Sequence, residues 1–98
     1  MNFEQGYEAV AASQTDLAVG SAKVGTVISR LLVTVATAVT SAVSIKDGNG
    51  SAIGIVAANT PVGIYSVEVG MAAKNTTTPG WKVTTGAGVS VIIIGRLN

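Results

Sequence analysis

Apolar and polar residues alternate in short runs along most of this chain, and turn-forming residues separate the runs. From Val27 to Thr37, Leu31, Val33 and Val35 fall on one side of a period-2 pattern, with Arg30, Leu32, Thr34 and Ala36 on the other. That spacing predicts a strand. Shorter runs predict further strands at Leu17–Val19, Val43–Lys46, Ile53–Ile55, Tyr65–Val69, Trp81–Val83 and Val89–Ile94. Asp47-Gly48-Asn49-Gly50 joins two turn dipeptides that accept positive φ, which makes it the clearest hairpin signal in the chain. Gly20–Gly25, Asn59–Gly63, Lys74–Gly80 and Thr84–Gly88 read as the other turns.

Seven or eight short strands with no amphipathic helix between them predict an all-β fold. The expectation is a small antiparallel β-sandwich, jelly-roll-like or barrel-like. No crossover helix fits, so a parallel α/β fold is excluded. Residues 1–15 lack sustained alternation and are expected as a non-strand N-terminal arm before a single domain over 16–98. Phe3 and Tyr7 stand four apart there, so one helical turn would bring the two rings together, ready to dock on a neighbouring subunit.

The last strand is apolar on both sides. Val89, Val91 and Ile93 point one way, and Ile92 and Ile94 the other. A two-layer fold normally leaves one side of each sheet in water. Ile92 and Ile94 therefore lie either beneath the N-terminal arm or in a subunit interface. Phe3, Tyr7, Ile92 and Ile94 are the candidate contact residues.

Composition sharpens this picture. Of 98 residues, 48% are hydrophobic but only four are aromatic, so the core is made of small β-branched side chains. Charged residues are 11%, against roughly 25% in ordinary soluble domains. So sparse a charge leaves a single copy poorly protected against association. It fits either a surface covered by partners or one that is polar through Ser, Thr and Gly. Six bases and five acids are scattered along the chain. No cluster is available to displace counterions from phosphates, so nucleic acid is not an expected partner. The stretch Leu31–Ile45 contains five Ser/Thr and is shorter than the roughly 20 apolar residues of a membrane helix. No membrane partner is expected. Residues 1–16 lack the basic start and apolar run of a signal peptide, so synthesis in the cytoplasm is expected.

The candidate chemistry is thin. There is no Cys and no His, which removes thiol nucleophiles, the usual general base and most zinc sites. The five acids are too dispersed to suggest a paired-carboxylate site, so catalysis is not expected. The glycine-rich segments lack the spacing of nucleotide loops and read as turns. No cofactor is expected. Asp47, Asn49 and Ser51 resemble the start of a calcium loop, but Ala58 occupies the place of its bidentate Glu. Trp81 and Tyr65 would serve a sugar-stacking site if exposed, yet each shares the parity of a neighbouring valine, which favours core packing.

Three segments carry a resemblance: YEAVAASQTD (7–16), SRLLVTVATAVTSAVSIKDGNGSAI (29–53) and GWKVTTGAGVSVIIIG (80–95). They resemble small virion proteins of tailed bacteriophages, which open on a short non-strand segment and close on a WKVTTGAG-type hairpin. The resemblance covers most of the chain and rests on turns and alternation. It implies a capsid decoration (cement) protein located in the virion, bound to the major capsid protein or other virion subunits. A homo-oligomer is implied too, a trimer matching the three-fold positions of a capsid. A head fibre, vertex or tail-associated subunit is the alternative within the virion. A carbohydrate- or ligand-binding sandwich is the alternative of another class.

Overall fold

A computed structural model describes residues 6–20, 24–37, 42–77 and 80–97. Among these residues it has eight strands and no helix. The strands are β1 (Gly6–Val10), β2 (Leu17–Val19), β3 (Val27–Val35), β4 (Val43–Asp47), β5 (Ile53–Val56), β6 (Gly63–Ala72), β7 (Trp81–Thr84) and β8 (Val89–Arg96). They form two four-stranded antiparallel sheets. Sheet A has the order β1-β8-β3-β6, and sheet B the order β2-β7-β4-β5. The expected all-β sandwich is what the chain forms.

The core lies between the sheets and follows the alternation. Leu31, Val33, Val35, Val91 and Ile93 come inward from sheet A, and Val43, Ile45, Trp81 and Val83 from sheet B. Each such aliphatic side chain, fully buried, contributes about 1.5–3 kcal/mol. A β-bulge adds Ile28 to this set. Ile28 pairs with Gly95 and Arg30 with Ile94, so Ser29 is an extra residue against β8. The extra residue switches the parity, and even-numbered Ile28 becomes as buried as Leu31. Gly95 is required at this point. A Cβ there would collide with the carbonyl oxygen of Val27 and stand 2.9 Å from the amide nitrogen of Ser29.

Among the described strands, β4 and β5 are the one pair that is adjacent both in sequence and in a sheet. Their connection is the Asp47–Gly50 turn, closed by the Gly50 amide donating to the Asp47 carbonyl at 3.0 Å, with Gly48 at φ 62°. The remaining connections pass between the sheets.

Two expectations need correction. The WKVTTGAG segment is not a hairpin, because β7 lies in sheet B and β8 in sheet A. Thr85–Gly88 is a corner over the end of the sandwich. The 4% exposed Thr85 holds it there. Its hydroxyl donates to the Ala11 carbonyl at 2.6 Å and accepts from the Gln14 amide at 3.1 Å. Its own amide donates to the Gln14 carbonyl at 2.8 Å.

The second correction concerns the N-terminus. Gly6–Val10 was expected to be non-strand, with Tyr7 in a helical turn. It is β1, paired along its length with β8. Five residues have little strand preference of their own, but the doubly apolar β8 offers an open edge, and pairing with it decides the conformation.

A candidate interaction face

The register of sheet A places its outward side chains in rows. Tyr7, Ile94, Arg30 and Glu68 form one row, and Ala9, Ile92, Leu32 and Ser66 the next. Ser90, Thr34 and Ile64 form a third. Tyr7, Ile92 and Ile94 therefore share one face, as directly paired or diagonal neighbours. Phe3 lies outside the described residues.

β1 does not cover β8. It extends the sheet sideways, so Ile92 stays 37% exposed and Tyr7 73% exposed. Leu32 and Ile94 are half-buried, and Ile64 at the other edge is 70% exposed. Leu32 and Ile64 belong to this patch but were not singled out from the sequence. Their signal was parity, since Leu32 alternates with the buried Leu31 and Val33, and Ile64 with the half-buried Gly63 and Tyr65.

Charge on this face comes from Arg30, Glu68 and Arg96. The Arg30 guanidinium donates to the Glu68 carboxylate at 2.8 Å, with both side chains well exposed. An exposed pair of this kind contributes about 0–1 kcal/mol. Arg96 lies at the far end of β8. The outside of sheet B differs. Lys46 and Lys82 are cross-strand neighbours there. The Asp16 carboxylate meets the Lys46 ammonium at 3.1 Å and accepts from the Thr84 hydroxyl at 3.2 Å. The bond from Lys46, aided by the charges of Lys46 and Lys82 and by the Thr84 hydroxyl, holds the Asp16 carboxyl below the ordinary aspartate range despite a smaller opposing desolvation.

The other sequence candidates are engaged in contacts within the protein. Trp81 is 2% exposed, and its indole N–H donates to the Thr26 carbonyl at 2.9 Å. It offers no face for a sugar ring. Tyr65 is half-buried and donates to the Pro61 carbonyl at 2.7 Å. Asp47 and Asn49, the calcium-loop candidates, tie down the segment after β6. Asp47 Oδ2 accepts from the amides of Lys74 and Asn75 at 2.8 and 3.0 Å, and Asn49 Oδ1 accepts from the Asn75 side chain at 2.7 Å. Asp47 Oδ1 is buried without a hydrogen-bond partner. A shallow, open cleft of about 450 Å³ lies beside this tie, lined in part by Ser51 and Ile53. Among the described residues, no three His, Cys, Asp or Glu side chains group to hold a metal. No helix among them is long and apolar enough to cross a membrane.

Comparison with protein-family models and with curated proteins finds none that matches this chain.

Proposed function

We propose that this chain is a non-enzymatic virion structural protein that decorates and stabilises a bacteriophage capsid. The outer face of sheet A is the surface it applies to the major capsid protein. One observation carries the reading: Tyr7, Ile92 and Ile94 fall with Leu32 and Ile64 on one outward face that the core does not use. Aromatic and aliphatic groups set side by side are what the buried centre of a protein interface contains. A hydrogen-bonded sheet also loses little conformational freedom when it docks, which favours a part repeated many times on one particle. The resemblance of residues 7–16, 29–53 and 80–95 to phage virion proteins points the same way.

Quantitative mass spectrometry of purified particles tests this. A ratio to the major capsid subunit near one-to-one, or at a fixed simple fraction, is the expected result. A handful of copies would place the chain at a vertex, fibre or tail instead, and none would sink the virion reading. Tyr7→Ser with Ile92→Ser should leave the chain folded and lower its occupancy on particles by roughly tenfold or more, as loss of two anchors from an interface centre does.

A further inference from the structure

The four outer strands of the two sheets are not equally protected. At the edges of sheet B, β2 has three residues and β5 four. In sheet A, β1 has five, and its Glu8 turns toward the interior side, where its carboxylate accepts from the Gly20 amide at 2.9 Å. Short strands and inward charges are standard protection against edge-to-edge pairing. β6 has ten residues, no Lys and no Pro, and a single charge at Glu68. Its one blunting feature is the irregularity near Gly70 (φ 63°), and Gly63–Glu68 pairs with β3 in unbroken register. Among the described residues no strand lies on its outer edge.

The core is also unfinished on this side. Inward side chains of β3 and β8, such as Val33, Val91 and Ile93, are 1% exposed or less. The inward positions of β6, Tyr65, Val67, Val69 and Met71, are all only half-buried. A strand added to β6 would supply both missing things, backbone partners and an apolar neighbour on the inner face.

We infer that β6 pairs with β6 of a second copy, antiparallel about a two-fold axis at Ser66. This register keeps the contact within the regular stretch. Ser66 faces its own copy, Tyr65 faces Val67, and Ile64 faces Glu68. The inner row becomes aromatic against β-branched, a favourable cross-strand pair. The two Glu68 carboxylates stand four residues apart along the ladder, roughly 13 Å, beyond effective repulsion at physiological salt. A second copy matches the edge over its whole regular length, whereas β1 of a neighbour would cover only part of it. The contact is isologous and closes at two, in place of the three-fold ring that the resemblance implies. It goes beyond the capsid reading and fails or holds separately from it, because it concerns the free protein in solution.

The chain has no cysteine, so introduced thiols report cleanly. Paired Cα atoms about 4.5–5.5 Å apart suit a disulfide. The Ser66→Cys chain should oxidise to a crosslinked dimer roughly tenfold faster than Ser51→Cys, an exposed control outside the strand. An equal mixture of Ile64→Cys and Glu68→Cys chains should crosslink, and neither should do so alone. Ser66→Lys, which sets two ammonium groups face to face, should shift the sedimentation mass from dimer to monomer without changing the fold. A parent chain that stays monomeric at millimolar concentration would overturn the inference. So would a trimer, or a dimer in which Ser66→Cys reacts no faster than the control.

Discussion

On the outside of sheet B, Lys46 lies opposite Lys82 and Asp16 reaches over to bind Lys46; on the outside of sheet A, the inner rows hold Ile92, Leu32 and Ile94. Both faces come from the same pleated geometry, and both cover the same core. The difference therefore owes nothing to what a single copy needs to fold. The outside of sheet B sets its charges among small and polar residues, whereas the outside of sheet A sets its charges beside an aromatic ring and aliphatic side chains left in water. Charge does not separate the two faces, since sheet A carries Arg30, Glu68 and Arg96. What separates them is the tyrosine and the aliphatic side chains, on the side that also has the longest unpaired edge.

If the two sheets share one core, a cavity beneath either of them destabilises the whole fold. Leu31→Ala beneath sheet A and Ile45→Ala beneath sheet B should each cost about 2–5 kcal/mol in urea unfolding, through lost transfer energy and the cavity left behind. A large cost on one side with a negligible cost on the other would mean that one layer folds without the other.

A smaller effect sharpens the contrast between faces. Tyr7→Ser with Ile92→Ser should lower stability by about 1 kcal/mol or less, since both side chains are already partly in water. A loss as large as that of Leu31→Ala would show that the outer patch is structural and would remove the argument for a docking face.

The smallest effect lies on sheet B. Because the bond from Lys46 lowers the Asp16 pKa on folding, the native state releases the Asp16 proton more readily than the unfolded chain. The stabilisation is present above the unfolded pKa of about 4 and disappears as pH falls through the lower folded value. Asp16→Asn should flatten the acid limb of the stability profile slightly and leave neutral-pH stability nearly unchanged, as expected for an exposed pair. An acid limb identical in parent and variant would show that the contact to Lys46 does not persist in solution.

Alternation made much of this legible in the sequence. It sorted Leu31, Val33 and Val35 from Leu32 and Thr34, placed Trp81 with Val83 in the core, and marked the double face of β8. The Asp-Gly-Asn-Gly turn announced the hairpin of β4 and β5. Period two says which side of a strand a residue faces, but not which strand lies beside it. For that reason the corner at Thr85 passed for a hairpin, and β1, whose conformation comes from pairing with a strand some 80 residues away, passed for a loose arm. The bulge at Ser29 was equally hidden, since it exists only through the close approach of Gly95. Of the candidate site, Tyr7, Ile92 and Ile94 were readable, while Leu32 and Ile64 joined them only once the rows across the sheet were known.

The position of β8 has a further consequence, for how the protein comes into being. It is the last of the eight strands to be synthesised, yet it sits inside sheet A between β1 and β3. Until Val89–Arg96 has left the ribosome, β1 has no partner, β3 is open on one side, and the sandwich lacks Val89, Val91 and Ile93. Of all the pairings, only the β4–β5 hairpin is local enough to form quickly, and the others must close long loops first. The apolar strands of sheet A thus stay uncommitted until β8 is available, and that strand completes the sandwich in one late step.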